Sequence, residues 1–371
     1  MSYKLRTNPN ERLWSLDTLR GFDMFMLVGF AGLIRKVGEV VDVPWYNAIE
    51  MNMHHVKWTG FSFYDLIFPL FMFVSGIAIP YSIISNKEKG ILNSQLAKKA
   101  AKRMAALIAL GIVYNGATKN GFADARYASV LGQIGIAYFF AALAFIYSKN
   151  FKTVLYWLGG LMAVVTILQM WVPVPGHGAG TFAKATSINA WIDSMLTPGR
   201  LHDGVFDPEG FLCIISSISI TMMGACTGHV VRNVNISREK KSLFIAVSGL
   251  SAILIALALS PVYPIIKKMW TMPFNLLASG ISAMLFAAFY YVIDVKGYRR
   301  WTFFFRVVGM NAITIYLVCK FVSFGSISGD LLGWIAMYSG EYRGVVKETG
   351  VLALRWGLLY FLYKNKIFLR V

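Results

Sequence analysis

The chemistry-bearing residues of this chain fall in a few short stretches. Two adjacent histidines open one of them, His54-His55-Val56-Lys57-Trp58-Thr59-Gly60, and a carboxylate follows in Tyr64-Asp65-Leu66-Ile67-Phe68-Pro69. Imidazole is the side chain best matched to proton transfer near neutral pH. A carboxylate close to it could orient the ring and stabilise its charged form. The plainer alternative is a pair of solvated loop histidines and an aspartate capping a helix broken around Pro69. A second stretch, Ser15-Leu16-Asp17-Thr18-Leu19-Arg20-Gly21-Phe22-Asp23, spaces three charges along one side of a helix. They form either a mutual ion pair or part of a cavity lined to meet an anionic ligand. In Phe206-Asp207-Pro208-Glu209-Gly210 the local pattern makes Asp207 an N-cap, Pro208 the first helical residue and Glu209 a partner of the helix dipole. Lys267-Lys268-Met269-Trp270-Thr271 mixes cations with an aromatic ring, which suits a helix anchor or a sugar site. Asn311, in Gly309-Met310-Asn311, needs a hydrogen bond from a neighbouring helix or a ligand.

The elements that carry these residues are apolar. Of 371 residues 57% are hydrophobic and only 15% charged, and the mean hydropathy of +0.57 argues against a soluble globular domain and against disorder. Cys213, Cys226 and Cys319 follow no paired or metal-binding spacing, so neither a disulfide framework nor a metal is expected. Ten stretches reach or approach the roughly 20 residues needed to cross a bilayer. They run over 16–34, 61–84, 104–117, 130–147, 154–172, 211–231, 243–259, 275–295, 307–324 and 345–363. Backbone amides cannot stay unpaired in lipid, so these are helices. The expectation is an all-α polytopic membrane protein of about ten spans, forming one unit over 1–371. Gly224 and Gly228 mark a small-residue packing seam in the sixth span.

The formal net charge of +18 has to be divided between the two sides of the membrane. With the N-terminus in the cytoplasm, the inner segments hold 22 basic residues against three acidic ones, among them Lys4, Arg6, Arg12 and Arg370. The outer segments hold ten of each sign. This is a positive-inside signature and leaves no role for nucleic acid. An even number of spans also returns the C-terminus to the cytoplasm. The first span, with Asp17, Arg20 and Asp23 and no small-residue cleavage site, is expected to be retained.

Taken together, the motifs resemble the membrane acetyltransferases related to lysosomal heparan-α-glucosaminide N-acetyltransferase and their bacterial relatives. The resemblance rests on Ser15-Leu16-Asp17 through Arg20-Gly21, His55 ahead of Trp58-Thr59-Gly60, and Asp65 to Pro69 with Gly76. It continues through Val130-Leu131 with Gly135 to Tyr138, Asp207 to Gly210, Lys267 to Trp270, and Gly309 to Asn311. Two departures are visible: Gly132-Gln133 where relatives often carry Gln-Arg, and Gly29 to Gly32 where the lysosomal branch has an asparagine.

The resemblance implies that acetyl from cytosolic acetyl-CoA is placed on the amine of a glucosamine residue across the membrane. It makes His55 the catalytic histidine, and Asp65 is expected to orient it. Arg20, Asp17 and Asn311 are the expected donor-side residues, with Asn311 also a candidate oxyanion donor. His54, Trp58, Asp207, Glu209, Lys268 and Trp270 are the expected acceptor-side residues. A lumenal domain like that of the lysosomal branch is not expected here, which shifts the expected acceptor to a free hexosamine or short cell-wall sugar. A homodimer in a bacterial inner membrane, among its lipids, is also expected. The rival reading is an amino-sugar transporter using the same intramembrane charges, although no repeated pair of broken hydrophobic segments is visible. A non-catalytic membrane scaffold is the third.

Overall fold

The computed structural model describes residues 13–122 and 125–369. Lys4, Arg6, Arg12 and Arg370, used above to orient the chain, lie outside the described residues. Within them the chain is helical. The order is α1 (Trp14–Phe25), α2 (Ala31–Gly38), α3 (Pro44–Met51), α4 (Phe63–Glu88), α5 (Asn93–Tyr114), α6 (Ala117–Asn120), α7 (Val130–Tyr147) and α8 (Phe151–Trp171). The second half holds α9 (Ile188–Leu196), α10 (Phe211–Arg232), α11 (Arg238–Leu259), α12 (Met272–Tyr290), α13 (Thr302–Met310), α14 (Ala312–Phe321), α15 (Phe324–Tyr338) and α16 (Arg343–Lys364). A π-helical turn, Met26–Phe30, joins α1 to α2, and another, Tyr291–Val295, extends α12. No strand occurs among the described residues, only isolated bridges.

Among the described residues six helices, α4, α7, α8, α10, α11 and α12 with its π-turn, are long and apolar enough to cross a membrane, and α13 and α14, bent by 66° at Asn311, make a seventh if they form one span. The chain is an integral membrane protein on these grounds. The other stretches fall on helices that carry too much charge or are too short to qualify alone. Lys98, Lys99, Lys102 and Arg103 lie in α5, Lys347, Glu348 and Arg355 in α16, and α1 is short. Helices α3, α9 and α15 fall where the sequence pattern shows outer connections. The longest of them is α15, whose Gly325, Ser326, Ser328, Gly329, Asp330 and Gly333 interrupt its apolar run. It is held to α16 by the Ser328 hydroxyl, which donates to the Lys347 carbonyl at 2.6 Å.

α4 is the central element. It packs against α1, α7, α10 and α12, and most of its residues are buried. Pro69 and Pro80 are accommodated inside it without ending it, so the break anticipated at Pro69 does not occur. Side chains are nearly eliminated where α4 meets α10: a Cβ on Gly224 or Gly228 would collide with the Phe73 or Ile77 carbonyl, and one on Gly76 with that of Thr221. α1 and α13 cross in the same way at Gly21 and Gly309. By contrast, α8 and α11 turn Trp157, Val164, Ile167, Leu250, Leu254 and Ile255 outward, as lipid-facing helices do.

The two ends of α4 differ chemically. Its C-terminal end is basic and polar: Arg232 pairs with Glu88 at 2.9 Å, and Lys87 donates to the Ile146 carbonyl at 2.6 Å. Its N-terminal end, about 39 Å away at 1.5 Å per residue over 26 residues, carries Asp65.

The seam predicts an asymmetry between glycines. Gly224→Leu should cost about 1–3 kcal/mol by overpacking, seen as a lower melting temperature of the detergent-solubilised protein. Gly159→Leu on α8, where nothing lies within 4 Å, should leave the melt unchanged. Equal effects would contradict the packing described.

Candidate active site

The site is built at the N-terminus of α4. Four amides at a helix start lack intrahelical acceptors, and Ser62 and Asp65 form a capping box there. Asp65 Oδ2 accepts the Ser62 N–H at 3.2 Å and the Val56 N–H at 3.4 Å. The Ser62 hydroxyl donates to the His54 carbonyl at 2.6 Å, which fastens the histidine loop to the same helix start. The other oxygen, Oδ1, faces outward. His55 Nδ1 lies 2.6 Å from it and Lys267 Nζ 3.1 Å. Asp65 is fully buried, whereas the His55 side chain is about half exposed at 54%. Asp65 therefore both caps the helix and holds the imidazole, so the two readings of the sequence are not alternatives.

We assign the ring proton to Nδ1, which then donates to the carboxylate and leaves the Nε2 lone pair free; the Lys267 ammonium, 3.1 Å from the same nitrogen, donates to the carboxylate and not to the ring. The Tyr64 ring lies against the imidazole, with centroids 4.7 Å apart. Lys267 is brought in by the loop before α12. The Gly60 amide donates to the Ile265 carbonyl at 2.9 Å, and the Thr271 hydroxyl receives the Ile266 amide and donates to Pro264. Trp270 closes this loop with a left-handed backbone, φ = 50°, a conformation an L-residue adopts only when held. It is held by burial against Phe68 and Phe274 and by its indole N–H, which donates to the Pro208 carbonyl at 3.0 Å. Burial pushes the Lys267 ammonium below its ordinary value, against the pull of Asp65.

A cavity of about 210 Å³ opens beside the histidine. His55, Tyr64, Lys267 and Glu209 contribute to its lining, and so do Asp23, Tyr316 and a wall of Leu, Ile, Val and Phe side chains. Glu209 is set by a second cluster. The guanidinium of Arg126 forks onto Asp207 at 2.7 and 2.5 Å and also reaches Glu209. Burial disfavours this charge, yet the two carboxylates hold Arg126 above its ordinary value. Arg126 is carried into place where its loop bridges to Gly199, the Arg200 amide donating to the Ala125 carbonyl at 3.2 Å.

The local reading of Asp207 as an N-cap needs correction. α10 begins at Phe211 with Gly210 as its N-cap. The Asp207 carboxylate is spent on Arg126 and on the amides of His202 and Glu209. The exposed amide of Phe211 is taken instead by Asp193, from α9, at 2.9 Å. Asp193 also accepts from the Asp207 amide at 3.1 Å.

Of the residues singled out in the sequence, His55, Asp65 and Glu209 come together, and Asp23, one of the three α1 charges, lines the same cavity. The remaining candidates lie elsewhere. His54 turns to Glu50 at 2.6 Å, the Trp58 indole donates to the Phe182 carbonyl at 2.8 Å, and Trp270 is buried at 2% exposure. Lys267, rather than Lys268, meets the histidine. Asp17 and Arg20 approach each other at 3.8 Å in α1. Asn311 sits in the bend between α13 and α14, its amide donating to the Ile367 carbonyl at 3.0 Å, and it is not among the cavity-lining residues. Lys267, Arg126 and Asp23 are the site residues that local pattern did not assign. Among the described residues, no three His, Cys, Asp or Glu side chains group to hold a metal.

No family model matches the chain. Against curated proteins, it is 25% identical over 419 aligned residues to human heparan-alpha-glucosaminide N-acetyltransferase, covering 97% of this chain and 60% of the relative. The mouse protein of the same name is 24% identical, covering 99% of this chain and 61% of the relative. The chain is similar to heparan-alpha-glucosaminide N-acetyltransferases along nearly its whole length. It spans about 60% of the length of these curated relatives.

Asp193 supplies a pH test of the cluster under α10. Burial pushes its carboxyl up to about 6, although the amides of Asp207 and Phe211 pull it down. The native state thus holds a proton that the unfolded chain has released above about pH 4. Stability from this group is full below pH 4 and is lost as pH rises through 6. The melting temperature of the wild type should fall between pH 5 and 7.5 more than that of Asp193→Asn. Parallel curves would contradict the assignment.

Proposed function

We propose that this chain is an acetyl-CoA-dependent N-acetyltransferase that acetylates the amine of glucosamine or a related amino sugar. The observation carrying this reading is the His55–Asp65–Lys267 group at a cavity that is otherwise largely apolar, in a chain similar to N-acetyltransferases over 97% of its length. An acetyl transfer needs a neutral amine, a base for its proton and a positive group for the developing oxyanion. His55 Nε2 takes the proton as the nitrogen attacks the thioester carbonyl. Asp65 orients the ring and stabilises its positive charge, and the Lys267 ammonium complements the oxyanion. The C–S bond then breaks, and the sulfur leaves as CoA thiol with the proton that the amine gave up. Glu209, fixed by Arg126, is placed to accept a hydrogen bond from a sugar hydroxyl.

The membrane arrangement belongs to the same proposal. Ten spans with both termini in the cytoplasm put the basic end of α4 on the side that holds acetyl-CoA and His55 on the extracytoplasmic side. Arg20 and the inner Lys and Arg clusters then complement the CoA phosphates. The chain acts as one membrane unit over 1–371, as a homodimer in a bacterial inner membrane. Support for the sidedness is the charge division along the sequence and the opposite placement of His55 and the Arg232–Glu88 pair at the two ends of α4.

The test uses purified protein, labelled acetyl-CoA and glucosamine. The wild type should yield N-acetylglucosamine, and His55→Ala should lower kcat by at least about 100-fold. Asp65→Asn should lower it by about tenfold or more while also reducing stability, because the same carboxylate caps α4. Full activity in His55→Ala would overturn the assignment.

A further inference from the structure

The cavity contains one acidic group that the reaction above does not use. Asp23, on α1, lines it together with His55 and Lys267 and is 1% exposed. Neither of its carboxylate oxygens has a hydrogen-bond partner among the described residues. A buried acceptor without a donor is costly to fold around, and the neighbouring lining, including Met24, Leu27 and Phe71, is apolar. The arrangement is that of an acceptor waiting for a ligand donor.

The position of Asp23 narrows that ligand. α1 starts at the polar end of the bundle, where the Ser15 amide donates to Asp294 at 3.0 Å and Arg306 lies over the Trp14 ring. Asp23 is nine residues further along α1, between that end and the histidine. On the acetyl-transfer reading, on which this inference rests, the amine is at His55 and the donor arm arrives from the α1 start. What passes Asp23 must be slender and largely apolar to suit the walls, and it must carry an N–H or O–H. The pantetheine arm of CoA has this character, with two secondary amides spaced along an alkyl chain. A charged phosphate does not fit beside a carboxylate, and a simple alkyl thioester would leave Asp23 unsatisfied.

We propose that Asp23 accepts a hydrogen bond from an amide N–H of the pantetheine arm, and that this contact selects an amide-bearing thioester as donor. The test compares acetyl-CoA with two analogues in which one or the other pantetheine amide NH is replaced by an ester oxygen, using full-length protein in proteoliposomes. One analogue should lose about tenfold in kcat/KM with the wild type, the upper range of a single net hydrogen bond. Asp23→Leu should abolish that discrimination, and Asp23→Asn, whose carboxamide oxygen still accepts, should keep it. Asp23→Ala serves if the leucine variant does not fold. Discrimination that is absent in the wild type, or unchanged in Asp23→Leu and Asp23→Ala, would overturn the proposal. So would an effect confined to the KM of glucosamine, which would place the sugar amine at Asp23 instead. No transfer from acetyl-CoA itself by the wild type would remove the parent reading and this inference with it.

Discussion

One buried carboxylate, Asp65, holds the histidine end of this molecule together by dividing its two oxygens. Oδ2 closes the start of α4 by taking the amides of Ser62 and Val56, and Oδ1 holds His55 and Lys267. The first task is structural and the second chemical, and neither can be moved without the other. Because α4 is also the helix against which α1, α7, α10 and α12 pack, the position of the imidazole is referenced to the centre of the bundle rather than to a loose loop. A reacting group must be held to a fraction of an ångström for proximity to count. A half-exposed histidine on a loop achieves this here because its partner is rooted in the central helix α4.

The loops above the bundle are fixed by the same economy of buried charge. Arg126 is surrounded by Asp207 and Glu209, Asp207 by amides of its own loop, and Asp193 by the amides of Asp207 and Phe211. Each carboxylate satisfies backbone donors that a loop under an apolar surface could not otherwise pair. One outcome of these contacts is that Glu209 is left beside the cavity, oriented by Arg126. Another is that Trp270, in a strained backbone conformation, seals the space between α4, α10 and α12 and so presents Lys267 to the histidine.

The sequence reveals those parts of the site whose partners are close along the chain. His55 and Asp65 are ten residues apart, so motif spacing was enough to pair them. Lys267 reaches His55 across 212 residues, and Arg126 reaches Asp207 across 81. No local period encodes such pairings, and two adjacent lysines gave no sign of which would face inward. The same limit explains the misplaced start of α10. Asp-Pro-Glu reads as a cap, and only Arg126, arriving from another loop, shows that the carboxylate is already committed. Apolar stretches located the helices well because lipid demands continuous hydrophobicity. They failed for α15, where glycines and serines dilute the run although packing on α16 still stabilises a helix. Asp23 was visible as a charge in the first span, but its lack of a partner is a property of the folded bundle alone.

The central claim is that acetyl passes through the cavity from the basic end of α4 to the histidine end. Oriented proteoliposomes test it most directly, with labelled acetyl-CoA confined to the basic side and glucosamine to the His55 side. The account predicts labelled N-acetylglucosamine on the His55 side, and none when the two reactants are exchanged. Product formed only with both reactants on one side, or glucosamine crossing the bilayer unmodified, would contradict it.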